Sequence, residues 1–404
     1  MSESLNDKLK ALGMDLGMGH LSQFKPAFKN DHPIHKVIDG DEINTIYGPA
    51  FFVSQDATDQ LRQKVDINQP LNLSTVLVNP EIKNPRIIFL DTETSGLSGG
   101  TGTFIFIIGL GIYDGSSFKL HQLFMRDPGE EQAFLIALNQ LIGDTNLLVT
   151  FNGKCFDMPL LTTRHRIQGF TPVLSPETHF HLDMLPVARR IWKTRLPSRS
   201  LGDLEREILG VSRTEDEVPG WLIPEMYFDY LSSGDARPMK RVIYHNAMDI
   251  ISLAQLFFIT NKMLISPLDQ YINSIDLASI ARIFERQNRL DEAIDLYEVS
   301  LAKGLPVDIY TQTIERYANI YKQKKDWKKA VGLWLKASEV NSFDSILELA
   351  KYYEHVSKDL DNAEIATQKA IFLVKKQPSP SWNQTVKINE LTHRLFRIQG
   401  KKRG

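Results

Sequence analysis

The chain has almost no cysteine. Cys155 is the only one in 404 residues, which excludes an internal disulfide framework and a cysteine-rich zinc site. An excess of one charge is missing too: 47 lysines and arginines stand against 49 acids. Any nucleic-acid surface is therefore a local patch and not a global polycation. Long apolar runs are absent. The longest, Phe104 to Tyr113, is too short to span a bilayer and is interrupted by Gly109 and Gly111. The start, MSESLNDKLKALGMDLG, lacks the apolar core of a signal peptide. A cytoplasmic protein that engages no membrane is the expectation.

What is present has three parts. Residues 1–84 read as a weakly patterned lead-in, with a short helix at Leu5 to Leu12 and an edge hairpin around Ile46 to Val53. Residues 85–265 alternate strands and helices. Strands are expected at IIFLDTE (87–93), TFIFIIGLGIY (103–113) and SFKLHQLFM (117–125), with Asp114-Gly115-Ser116 as a hairpin turn. Asp127-Pro128 opens a helix to about Leu141, with Glu130 and Glu131 in its first turn. A strand at Leu147 to Phe151, a helix from Cys155 to Gln168, a strand at His181 to Leu185 and helices at 201–210 and 240–262 complete the pattern. Three meandering strands followed by alternating helix and strand is the order of a ribonuclease-H-like mixed sheet flanked by helices.

Residues 270–400 are helical with a repeat. Ala281, Ala318 and Ala350 align, as do Ala293, Ala330 and Ala363, at a spacing of roughly 35 residues, close to the tetratricopeptide period. Small residues there let paired helices approach closely. Bulky ones such as Tyr297 and Trp334 fill the space between. The terminal KKRG is expected to fray.

Chemistry is written in acids. Asp91 and Glu93 follow the apolar run Ile87 to Leu90, and side chains two apart on a strand share a face. Two like charges closing a buried strand either open a solvent turn or hold a hard divalent cation. Asp157 follows a Gly turn at the start of a helix, where it suits either a helix dipole or a metal. Asp249 sits in an apolar helix among Ile250 and Leu253, so it either faces solvent or needs a partner.

Together, Asp91-Thr-Glu93, Phe151-Asn-Gly-Lys-x-Phe-Asp157 and the His-containing segment before Asp249 resemble the three motifs of the DEDD exonuclease superfamily. The blocks DTETSGLSGGTGT, TFNGKCFDMPLL and HNAMDIISLAQL are similar to those of the YprB-like ribonuclease-H-like family, in which a tetratricopeptide tail often follows. The resemblance covers 85–265 strongly and 270–375 at the level of the repeat. It implies a metal-dependent nuclease, a 3′–5′ exonuclease acting on DNA or RNA. Asp91, Glu93, Asp157 and Asp249 would hold two Mg²⁺ or Mn²⁺ ions, and His245 would be the general base. Exonucleases of the histidine type place His five residues before the last acid, and those of the tyrosine type place Tyr four before. Here Tyr244 stands at five and His245 at four. Helix geometry favours His245, which shares a face with Asp249, with Tyr244 packing beneath. This exchange keeps a second reading open: a weak or inactive nucleic-acid-binding module whose repeats recruit protein partners.

Supporting positions are Asn152 and Lys154, for phosphate contact or a turn, and a run of cations without acids: Arg189, Arg190, Lys193, Arg195 and Arg199. With Trp192 among them, that run suits either a nucleic-acid backbone or a solvated helix face. Asp183 is a fifth acid near the site or simply a strand end. Cys155 is expected to be buried. The glycines of SGLSGGTGT lack the Lys-Ser/Thr of a phosphate-binding loop and suit close approach of a substrate.

Overall fold

The computed structural model describes residues 32–71, 86–96, 102–174, 179–211, 218–269, 271–376 and 382–403. The expected helix at Leu5 to Leu12 and most of the glycine-rich segment lie outside these residues. The chain divides into two compact units, Met1–Arg189 with Leu196–Ile265, and Arg190–Arg195 with Ser266–Gly404.

The first unit is built on one seven-stranded mixed sheet. Its strands are β1 (Asp41–Thr45), β2 (Gly48–Asp56), β3 (Ile87–Thr94), β4 (Ile105–Tyr113), β5 (Phe118–Phe124), β6 (Leu147–Thr150) and β7 (Phe180–Asp183). They lie in the order β1-β2-β5-β4-β3-β6-β7. Pairing is antiparallel from β1 through β3 and parallel from β3 through β7. The hairpin expected near residue 50 is present and continues the sheet. It thus belongs to the sheet and not to a separate lead-in. The turn before β5 forms at Asp114, whose Oδ1 accepts from the amides of Ser116 and Ser117.

Every residue of β4 is buried, because helices cover both faces of the centre. On one side Tyr227 stacks on Phe106 with ring centroids 3.9 Å apart, and its hydroxyl donates to the Met125 carbonyl. Helix α1 (Glu131–Ile142) follows a 3₁₀ turn that Asp127 caps by accepting from the Gly129 amide. Helix α2 (Asp157–Ile167) begins two residues later than its sequence suggests, after a turn through Asn152 at φ 65°. Glu131, expected in the first turn of the helix, is buried there and takes a bidentate pair from Arg164 of α2 at 2.5 Å.

Breaking that pair strands a buried charge, which costs about 3–5 kcal/mol. Arg164→Met should therefore lower the denaturant midpoint strongly. Pairing it with Glu131→Leu should recover most of the loss.

Helices α3 (Met184–Trp192) and α4 (Ile223–Ser233) lead to α5 (Met239–Ile265). By length and apolarity α5 could cross a membrane. Its apolar character has another cause: from Ile250 to Phe258 every residue is buried. The helix expected at 201–210 is present, with a wide π turn over Glu205–Leu209.

The second unit consists of paired helices: α6 (Ser274–Arg286) with α7 (Leu290–Lys303), α8 (Val307–Gln323) with α9 (Trp327–Glu339), and α10 (Phe343–Tyr352) with α11 (Leu360–Lys375), followed by α12 (Trp382–Arg403). The six aligned alanines are all fully buried. Within each pair one left-handed residue makes the turn: Asn288, Lys325 and Lys358. The terminal lysines do not fray. Helix α12 runs to Arg403, and Lys401 joins Arg394 and Arg397 around the fully buried carboxylate of Glu354. Burial alone would raise that carboxyl, but hydrogen bonds from Arg397 and Lys401 hold it at about 2.

Candidate active site

Parallel pairing of β3 with β6 ends at Leu90 opposite Thr150, while β3 runs on beside β4. Asp91 and Glu93 therefore project at the carboxyl ends of the parallel strands, the crevice where open α/β sheets bind ligands. The loop after β6 brings Asp157 to the same place. Helix α5 crosses the sheet and brings Asp249 and His245.

The four carboxylates meet around Asp91. Desolvation pushes its carboxyl well above the usual range, and Asp249, Glu93 and Asp157 push it further. Desolvation also raises Asp157, to about 6, against a hydrogen bond from Thr92. Like charges this close with this little water are costly unless protonated or neutralised by a cation. Three of the four acids are oriented by protein partners. Asp91 Oδ2 accepts from Asn246 Nδ2 at 3.0 Å, Asp157 Oδ1 accepts from Thr92 Oγ1, and Asp249 Oδ2 lies 3.4 Å from His245 Nε2. Accordingly, among the described residues no three His, Cys, Asp or Glu side chains stand in a ready ligand cluster. The donor set still fits a hard divalent ion: oxygen ligands, mutual repulsion and partial burial.

The loop between β6 and α2 is shaped for close approach. A Cβ at Gly153 would lie 2.6 Å from Thr150 and 2.9 Å from Asp157 Oδ2, so only glycine lets the chain pass the carboxylate. Asp183 holds this loop. It accepts from the amides of Asn152, Lys154 and Leu185, which makes it a structural clamp as well as a charge beside Asp157. Next to it, His181 Nε2 lies 2.8 Å from Thr150 Oγ1, and burial pulls its pKa down to about 4.

Other expected residues are placed differently. Tyr244 does not pack beneath His245; it is 49% exposed, because α5 turns that face outward. Cys155 is exposed, not buried, since it precedes the helix in an outward turn. Trp192 is fully buried and cannot stack on a base. Arg195 is taken by Asp276 at 2.9 Å, and Arg199 donates to the carbonyls of Leu196 and Pro197. The cation run is therefore not one continuous track. Lys154, Arg189, Arg190 and Lys193 are exposed.

Sequence reasoning missed Asn246, Gln122 and Thr92. For Asn246 there was a signal: Val242, Ile243, Asn246 and Ile250 recur at helical spacing, so an amide interrupts the buried stripe of α5.

Family models and a curated relative agree with this architecture. A model of the RNase H superfamily matches residues 88–261, and a tetratricopeptide-repeat model matches 277–306. The chain is 32% identical over 315 residues to the uncharacterized protein YprB of Bacillus subtilis (strain 168), covering 76% of this chain and 75% of that one. Among solved structures it is similar to the family B DNA polymerase of the archaeon Pyrobaculum calidifontis, at 15% identity and a TM-score of 0.32. That match covers 60% of this chain and 29% of the polymerase. The chain belongs to the YprB-like family, a ribonuclease-H-like domain followed by tetratricopeptide repeats.

Proposed function

We propose that the protein is a metal-dependent nuclease that removes nucleotides from 3′ ends of DNA or RNA. The observation that supports this best is the convergence of Asp91, Glu93, Asp157 and Asp249 at the carboxyl end of the sheet. Asp91 gathers the other three charges around it. Those acids would hold two Mg²⁺ or Mn²⁺ ions, which supply Lewis acidity at the scissile phosphodiester.

The chain's own groups do the rest. Thr92 and Asn246 fix the orientation of Asp157 and Asp91. His245 accepts the proton of the attacking water on its imidazole, and Asp249 beside Nε2 stabilises the imidazolium that forms. The loop held by Asp183 and the exposed Lys154 meet the phosphate backbone. Among the cations of the sequence run, Arg189, Arg190 and Lys193 remain exposed for the same role. The repeats offer a surface for a protein partner.

The test uses labelled single-stranded DNA and RNA with Mn²⁺ or Mg²⁺. Stepwise shortening from the 3′ end, abolished by chelator and by Asp249→Asn, is expected. Cleavage of a circular strand would make the enzyme an endonuclease. Mn²⁺ binding without hydrolysis would favour the binding-module reading, which the exchanged Tyr244 and His245 motivate.

A further inference from the structure

Asp91, Gly109 and Gln122 form one row across β3, β4 and β5: Asp91 pairs with Gly109, and Gly109 pairs with Gln122. The middle position has no side chain. Over that gap sits Asn246 of α5, so close that a Cβ at Gly109 would lie 2.2 Å from its Oδ1. Asn246 is fully buried and Gln122 is 2% exposed.

The hydrogen bonds along this row have only one direction. Gln122 Nε2 donates to the Ile243 carbonyl at 2.7 Å, and a carbonyl can only accept. The same Nε2 donates to Asn246 Oδ1 at 2.9 Å. Asn246 must then turn Nδ2 the other way, onto Asp91 Oδ2. Gln122 thus fixes the amide of Asn246, and Asn246 fixes the carboxylate. The Ile243 carbonyl, which anchors Gln122, lies in α5, the helix that also carries His245 and Asp249.

We propose that Asn246 and Gln122 are positioning residues that hold the Asp91 carboxylate in its metal-binding orientation and tie it to helix α5. Buried carboxylate ligands depend on such outer hydrogen bonds, and their loss typically costs about 10–100-fold in metal affinity. The proposal rests on the nuclease reading only in taking Asp91 as a cation ligand.

The test measures Mn²⁺ affinity by calorimetry on the folded full-length chain, and the denaturation midpoint of the metal-free chain. Asn246→Ala should bind Mn²⁺ about 10–100-fold more weakly than wild type. Gln122→Met keeps the bulk and removes the donor, so it should weaken binding in the same direction by less. In the metal-free chain, Asn246→Ala should lower the midpoint more in the wild-type background than in Asp91→Ala, because the amide then has no carboxylate to hold. A merely structural asparagine would move both midpoints equally and leave Mn²⁺ affinity unchanged.

Two failures are distinguishable. Equal Mn²⁺ affinity in wild type and Asp91→Ala overturns the metal site and the nuclease reading with it. Loss in Asp91→Ala with wild-type affinity in both Asn246→Ala and Gln122→Met overturns the positioning role alone. Should Asn246→Ala not fold, the Gln122→Met affinity decides.

Discussion

Asp91→Asn is expected to abolish hydrolysis and, in the same variant, to stabilise the metal-free protein. Both effects have one cause. The carboxylate is held desolvated among three other acids, which raises its pKa well above the usual range. A neutral amide of the same shape relieves that repulsion, a gain of about 0.5–2 kcal/mol of the kind seen when a strained functional site is relaxed. It also replaces an anionic oxygen ligand by a neutral one, for which a loss of at least about 10²–10³ in turnover is expected.

The contribution of Asp157 to the pH dependence has a definite sign. Asp157 is raised to about 6 from its unfolded value, so between these values the folded state binds more protons than the unfolded one. The Asp157 contribution to the stability of the metal-free chain then grows as pH falls below about 6. It is opposite in sign to that of His181, whose pKa is lowered to about 4, so it is read as the difference between wild type and Asp157→Asn. Thermal melts at pH 7.5 and 5.5, with and without Mn²⁺, read all of this. A destabilised Asp91→Asn, or one that keeps wild-type turnover, would sink the account.

Among the described glycines of the first unit, Gly109→Ala should be the most damaging. Its Cβ would meet Asn246 at 2.2 Å from Oδ1 and 2.9 Å from Cγ. Asn246 cannot yield without breaking its bonds to Asp91 and Gln122. Helix α5 must therefore lift, and it carries Asp249 and His245. Overpacking of this kind costs about 1–3 kcal/mol. A displacement near 1 Å at the carboxylates costs activity about 10²-fold.

Gly111→Ala is the control. One row along the strand, its Cβ would meet Phe118 and Ile250 side chains at 2.5 and 2.7 Å. It should lower stability comparably and activity less. The two glycines two apart on β4 match Asn246 and Ile250 four apart on α5, since two strand residues and four helix residues both advance about 6–7 Å. Equal losses of activity in both variants would remove the special role of the Gly109 row.

Much of this was legible before any coordinates. The alternation of apolar strands and helices located most elements of the first unit within a few residues. The recurring alanines located the repeat, because helix pairs can approach only where side chains are small. The glycines of the apolar run were visible as interruptions, but not as the seat of a helix. Their meaning depends on α5, more than a hundred residues further on.

The misplaced residues share a physical origin. Trp192, Arg195 and Arg199 look like a basic, aromatic surface when read in order. Arg195 is instead consumed by Asp276, 81 positions away. Glu131 looked like a first-turn acid for the helix dipole, yet it faces Arg164 of the next helix. Composition along a segment gives charge; it does not give the partner.

By itself the sequence determined the class of fold and the helical repeat, and it marked four acids, two closing a strand, one after a turn and one inside an apolar helix. These follow from local periodicity, in which each element records its own burial. Only the tertiary structure decided which cations stay exposed, that Asp183 clamps a loop, and that Gln122 and Asn246 orient Asp91. Asn246 and Asp91 are 155 positions apart. Their meeting depends on which row of the sheet lies under which turn of the helix, a relation that no local pattern encodes.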